Sequence, residues 1–247
     1  MERNYWEKIA PDYSEEIFDV LANDKKGIIR KTIKRFAARQ KTVIDIGCAI
    51  GKWLPLLSPA FKKVYAIDIS QKNLDIAKKN HSDLYNIQYS RIDMSNAKAK
   101  ITACDFAICI NAILTGTLKK RNIFFNNLRK CVKRTGHIIL VIPSLESAML
   151  ASIVRQTWNP DKDAKKIISK NKAVLQIQNL LQGNTNIDDV PHKHYLKEEL
   201  ELLLNNEGFS TEKFHKLEYD WNTEFLTPLK WLTNPKPWDW MVLAKKK

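Results

Sequence analysis

The residues with the clearest chemistry lie in one stretch, Val43-Ile44-Asp45-Ile46-Gly47-Cys48-Ala49-Ile50-Gly51. A β-branched run carries a single carboxylate, Asp45, into a loop whose first and last small residues are glycines. Residues 42–46 read as a buried parallel strand, because such strands are short apolar runs closed by turn residues. Gly47 and Gly51 can take backbone angles closed to other residues and let a ligand approach the main chain. Lys52-Trp53-Leu54 starts a predicted helix, whose free N–H groups would face that ligand. Strand, glycine turn and helix start together make a nucleotide-binding geometry.

Charge decides between kinds of nucleotide. A dinucleotide site wants Gly-x-Gly-x-x-Gly, with a helix dipole aimed at a pyrophosphate. From Gly47 the spacing here is Gly-x-Ala-x-Gly, and Asp45 precedes it by two residues. A carboxylate gives nothing to an anionic pyrophosphate but stabilises a ligand carrying an ammonium or sulfonium. Val64-Tyr65-Ala66-Ile67-Asp68 reads as a second strand, again ending in an acid. Asp68 stands near the ~20-residue spacing at which a ribose-binding acid follows such a loop. Its carboxylate can accept two hydrogen bonds from vicinal hydroxyls.

These residues resemble the opening motifs of the class I S-adenosylmethionine-dependent methyltransferases, whose loop reads acid-x-Gly-x-Gly-x-Gly. Ala49 replaces the middle glycine with another small residue. The resemblance implies S-adenosylmethionine as cofactor, held by Asp45, Gly47, Cys48, Ala49 and Gly51, with Asp68 and the adjacent Ile69 at the ribose. It further implies Asp93 at the adenine amino group, Met94 beside the ring and Asn111 at the cofactor edge. Asp93 has an alternative as a turn residue ahead of Ser95 and Asn96.

The implied reaction is in-line displacement at the sulfonium, and a hydroxyl or amine acceptor needs a base for its proton. His192, His194 and Tyr195 are the candidates, with Glu146 behind them, and histidine suits the task through its unperturbed pKa near ~6.5. Surface or helix-capping placement is the alternative for that trio. His81 and His137 read as residues without a chemical role, and no cluster of metal ligands is visible.

The elements that must position these groups alternate. Helices are predicted over 28–38, 71–80 (capped by Ser70) and 122–131, with strands over 64–68, 87–91, 105–110 and 137–142. This alternation is the mark of a doubly wound parallel α/β sheet. With a helix over 196–207 and antiparallel strands over 209–219 and 238–244, the resemblance implies a Rossmann-like seven-stranded sheet, mostly parallel with an antiparallel last strand. Residues 144–191 exceed a simple connection, and their apolar spacing fits two or three short helices broken at Pro160-Asp161. We expect a helical substrate cap there, and an N-terminal helical lid over 1–40, both within one methyltransferase domain spanning 1–247. The lid should contain a helix over 14–21 capped by Ser14; Trp6 and Tyr13 either fold over the cofactor or pack under that helix.

Bulk properties narrow the partners. The 247 residues carry a net charge of +14, mostly from lysines spread singly or in pairs such as Lys62-Lys63 and Lys78-Lys79. Phosphate and base readers favour arginine forks, so nucleic acid is a possible but disfavoured partner. The Asn/Asp-Pro-Pro-aromatic motif of base amino methyltransferases is absent, Asn111-Ala112-Ile113-Leu114 standing in its place. The paired-glutamate loop of arginine methyltransferases and the Pro-Cys nucleophile of cytosine C5 enzymes are absent too. The favoured acceptor is a small molecule; an RNA or protein substrate, or a catalytically silent binding module, are the alternatives. Cys48, Cys104, Cys109 and Cys131 read as reduced core cysteines. With no long apolar segment and no signal-peptide core, the expected location is cytoplasmic and off the membrane.

Overall fold

The computed structural model describes residues 3–13, 17–162, 179, 182–187 and 190–247. In chain order its strands are β1 (Ala38–Ile46), β2 (Phe61–Asp68), β3 (Ile87–Arg91), β4 (Cys104–Ile110), β5 (Val132–Pro143), β6 (Asn184–Ile187), β7 (Val190–Lys193), β8 (Phe209–Glu218) and β9 (Trp238–Lys246). Its helices are α1 (Arg3–Ile9), α2 (Val20–Asn23), α3 (Ile28–Phe36), α4 (Leu54–Leu57), α5 (Gln71–Asn80), α6 (Leu118–Cys131), α7 (Leu145–Trp158) and α8 (Lys197–Asn206).

Seven strands form one sheet in the order β3-β2-β1-β4-β5-β9-β8. β9 pairs antiparallel with both β5 and β8, and every other neighbouring pair is parallel. The reason is legible strand by strand. In β1 the side chains alternate, Ile44 and Ile46 joining one core with Leu128 of α6 and Leu200 of α8. Val43 joins the opposite core with Ile33 of α3, Leu57 of α4 and Leu74 of α5. β5 repeats the pattern, with Ile138, Leu140 and Ile142 on one side and Ile139 and Val141 on the other. A sheet apolar on both faces must be covered on both, which a doubly wound chain achieves.

Three expectations change. The helix after the first loop is only the four residues Leu54–Leu57, so it offers little dipole. The helical stretch expected over 14–21 is confined among the described residues to α2, capped by Asp19, whose carboxylate accepts from Ala22 N at 3.0 Å; Ser14 lies outside those residues. After Pro143 the chain does begin a helix, α7, closed by Asn159 in the left-handed conformation (φ 42). Residues 163–178, where further cap helices were expected, lie outside the described residues. The chain returns as an antiparallel hairpin, β6 with β7, so Pro191-His192-Lys193 is strand and not a loop leaving a helical cap.

A buried amide steadies the segment between β3 and β4. Asn127 of α6, 0% exposed, donates through Nδ2 to the carbonyls of Met94 and Asn96, each at 2.9 Å. Asn127→Ala strands both carbonyls and should lower stability by about 1–3 kcal/mol. Urea denaturation checks this, and the dependence on denaturant should stay unchanged.

Candidate active site

The carboxyl ends of β1, β2, β4 and β5, with the start of β9, open onto a cleft of about 980 Å³. Ligands of open α/β sheets bind at this edge. Among the expected cofactor residues, Asp45, Gly47, Cys48, Ala49, Asp68, Ile69, Asp93, Met94 and Asn111 line the cleft. Gly51 does not. A Cβ on it would lie 2.7 Å from Leu54 Cδ1, 2.9 Å from His81 Cδ2 and 3.2 Å from Ala77 Cβ, so its role is close packing of the loop against α5.

The loop is braced from inside. Gly47 N and Cys48 N both donate to Ile67 O, at 2.8 and 3.0 Å, and Gly51 N donates to Cys48 O at 2.9 Å. Ala49 N donates to Asp68 Oδ2 at 2.9 Å. With these four amides engaged, the loop has little left for a phosphate, which excludes an anion cradle more strongly than its spacing does. Gly47 adopts φ +72, and a Cβ there would sit 2.5 Å from the Ala112 methyl. Ala49 is also left-handed, at φ 47, where a methyl-bearing residue is strained.

The two acids are buried without a cation. Asp45 is 2% exposed, and its Oδ2 has no partner among the described residues. Burial, reinforced by the charge of Asp68, pushes its carboxyl up to about 8. Asp68 accepts Ser70 N at 2.8 Å and Asn73 Nδ2 at 3.5 Å on Oδ1, besides Ala49 N on Oδ2. Burial raises its pKa too, against the pull of the Ser70 and Ala49 amides. Asp68 therefore braces the loops as well as facing the cleft. Such a pair wants donors or positive charge from whatever enters.

The N-terminal segment crosses this half, with Trp6 and Tyr13 among its walls. Glu7 fixes it by accepting Gln71 N at 2.9 Å and Lys72 N at 3.2 Å, at the start of α5 where the helix dipole favours an anion. Lys52 Nζ reaches Asp19 Oδ2 at 2.7 Å and ties the segment to the loop. Asp93 lines the cleft, and its Oδ1 accepts Ser95 N at 2.8 Å and Ser95 Oγ at 2.6 Å as a turn.

The proposed bases separate by strand alternation. His192 and His194 line the cleft, whereas Tyr195 does not. It is 0% exposed and donates its hydroxyl to Ile113 O at 3.4 Å, on the opposite side of the extended chain. His194 Nδ1 lies 2.8 Å from Thr185 Oγ1, and burial holds its pKa down to about 4. Glu146 is a structural tie, accepting Ser144 Oγ at 2.8 Å, Trp240 Nε1 at 3.0 Å and Lys197 N at 3.0 Å. His137 sits at the other end of β5, 3.3 Å from Glu212 Oε1.

Sequence reasoning missed a third acid. Asp239, near the start of β9, accepts Asn111 Nδ2 at 3.2 Å and Tyr219 Oη at 3.0 Å, both on Oδ2. Burial lifts it to about 6 while those two donors hold it back. Glu224, also lining the cleft, is raised to about 7 by burial and by Asp239. The available signal was an acid inside the apolar run Trp238-Asp239-Trp240-Met241-Val242.

The seven-stranded sheet, parallel but for one reversed strand, defines a Rossmann-like α/β fold. Residues 43–136 match a family model described as a methyltransferase domain. It is similar in fold to a SAM-dependent methyltransferase of Methanosarcina mazei, at 18% identity and TM-score 0.59, covering 87% of this chain and 96% of that one. The PH0226 protein of Pyrococcus horikoshii OT3 aligns over 100% of both chains at 17% identity and TM-score 0.64. Magnesium protoporphyrin IX methyltransferase of Synechocystis PCC 6803, solved with bound SAH, aligns over 99% of this chain and 98% of that one at 15% identity and TM-score 0.57. No curated protein matches the chain in sequence. No described helix is long and apolar enough to cross a membrane, and all four cysteines are free and buried.

Two outcomes follow from the loop. Ala49→Gly should stabilise the protein by about 0.5–1 kcal/mol, relief of the left-handed strain exceeding the added chain entropy, read as a rise of ~2–4 °C in Tm per kcal/mol. Asp45 has a folded pKa of about 8, above its unfolded value near ~3.9, so its contribution to stability declines as pH rises between them. Ligand-free Asp45→Asn should match the wild type near pH ~4 and melt higher above pH ~8. Parallel melting curves across that range would refute the buried-acid reading.

Proposed function

We propose that the cleft binds S-adenosylmethionine over β1 and β2 and that the chain transfers its methyl group to a small-molecule acceptor by in-line displacement. The observation that carries this reading is the pair Asp45 and Asp68, buried at neighbouring strand ends, with a carboxylate oxygen of Asp45 orphaned and no cation beside it among the described residues. The residues present fit the group. Asp45 Oδ2 would accept from its ammonium, and Asp68 would accept from the ribose hydroxyls with the capacity left by its internal bonds. Asp93 and Met94 would meet the adenine, and Asn111 would stand at its edge. When bound, the cofactor supplies a methyl carbon made electrophilic by a sulfonium.

The chain's own contribution is to orient and to exclude water. Holding the acceptor on line with the methyl carbon can be worth ~7–11 kcal/mol. The described part of the N-terminal segment acts as the lid, fastened by Glu7 and Lys52, and α7 with Thr185 and His192 closes the acceptor side. A small acceptor is favoured over RNA because the lysines do not converge here. Among the described residues the cleft's Lys and Arg side chains are Lys52 and Arg155, which are engaged by Asp19 and by Glu224 O and Asp161. The cleft continues beyond the cofactor half to Asp239, which argues against a silent binding module.

S-adenosylhomocysteine at about a hundred times its Kd should stabilise the protein by ~2.7 kcal/mol, or ~5–10 °C in Tm, and NAD should not. A shift with NAD alone would overturn the cofactor assignment.

A further inference from the structure

The far half of the cleft gathers two carboxyl groups, Asp239 and Glu224, and an orphaned amide oxygen of Asn111. Asp239 Oδ2 already holds Asn111 Nδ2 and Tyr219 Oη, while Asn111 Oδ1 is buried with no partner among the described residues. Glu224 lies close enough to Asp239 for each to oppose the other's ionisation. The cation nearest them, Arg155, directs its guanidinium to Glu224 O at 3.0 Å and Asp161 Oδ2 at 3.4 Å, and stacks over the Phe225 ring at 4.8 Å. Ser147 Oγ accepts from Trp238 N at 2.8 Å, and Thr223 Oγ1 donates to Asp220 O at 2.8 Å. The histidine of this region whose state is resolved, His194, is neutral. Asp239 lies three strand spacings from Asp45, about 14 Å, with Asn111 between them.

From this arrangement, and resting on the methyltransferase reading above, we propose that the acceptor is a primary or secondary amine and that Asp239 is the catalytic residue that takes its proton. An anionic acceptor would face Asp239 and Glu224 and leave the Asn111 amide oxygen without a donor, which is costly. An ammonium supplies the missing donors and the missing charge. The step balances. Asp239 accepts one proton from the ammonium, freeing the nitrogen lone pair; that pair forms the new N–C bond to the methyl carbon. The C–S bond breaks and its electrons stay on sulfur as a thioether, so the positive charge passes from sulfur to the methylated nitrogen, and Asp239 releases its proton to water. Tyr219 and Asn111 are positioning residues that fix the carboxylate and keep it ionised. The titratable and charged groups facing Asp239 are Tyr219, Glu224 and, beyond Glu224, Arg155.

The test is transfer of labelled methyl from S-adenosylmethionine to a panel of amines, each paired with the alcohol and the carboxylate of the same carbon skeleton. Label should enter amines only. Asp239→Asn should lower kcat/KM at least about 100-fold while leaving the Kd for S-adenosylhomocysteine within about twofold, which also shows that the variant folds. Glu224→Gln should raise KM for the amine by about tenfold with less effect on kcat. Tyr219→Phe removes a donor that favours the carboxylate, so the acid limb of the kcat/KM profile should move to higher pH; an unmoved limb excludes Asp239 as the base. Label in alcohols or carboxylates, full amine transfer by Asp239→Asn, or S-adenosylhomocysteine binding with no transfer to any amine would each overturn the proposal. Loss of S-adenosylhomocysteine binding by the wild type would instead overturn the methyltransferase reading beneath it.

Discussion

One carboxylate bridging two loops is the constraint on which the site depends. Asp68 ends β2 and reaches across to Ala49 N after β1, while its other oxygen holds Ser70 N at the start of α5. Parallel pairing brings these strand ends side by side, since Ile46 faces Ile67 in the register of β1 with β2. Gly47 and Cys48 complete the link by donating to Ile67 O. The loop is therefore held by hydrogen bonds to its neighbour strand together with the close packing of Gly47 on Ala112 and of Gly51 on α5. A left-handed alanine persists there because these bonds over-determine it.

That bracing has an electrostatic consequence. The same geometry that fastens the loop places Asp68 beside Asp45, and burial penalises the ionised form of each. In the ligand-free protein burial and the neighbouring Asp68 oppose ionisation of Asp45, a cost that a cationic ligand would relieve, so folding and binding share one free-energy term. Replacing Asp45 by a neutral group would help the empty fold and harm recognition, the ordinary trade at a functional site. Glu7 and Asp19, by contrast, are paired with donors, Glu7 with the amides of Gln71 and Lys72 and Asp19 with Ala22 N and Lys52.

Local patterns were readable in the chain and distant ones were not. The acid, loop and strand of 43–51, the acid at 68 and the alternation of β1 to β5 rest on residues within one element or one turn of each other. Gly51 was read as a ligand residue because spacing cannot distinguish a glycine facing the cleft from one facing α5. The β6–β7 hairpin hid behind the polar run Asn184-Thr185-Asn186, which lacks the apolar alternation that marks a strand. Tyr195 stood beside two histidines that do reach the cleft, and only the two-residue period of the extended chain turns it away. Asp239 was least accessible, since its partner Asn111 is 128 residues distant in sequence.

Reversal of β9 explains why such a distant acid belongs to the site. A parallel strand contributes its last residues to the ligand edge, but an antiparallel one contributes its first. Pairing of Pro143 with Asp239 sets the start of β9 against the end of β5. β8 runs parallel to β5 and delivers Tyr219 just past its own end, onto Asp239. Placed in a wholly parallel sheet, Asp239 would lie at the opposite edge with His137. The single reversed strand thus brings a further carboxyl group, Asp239, to the same cleft edge as Asp45 and Asp68.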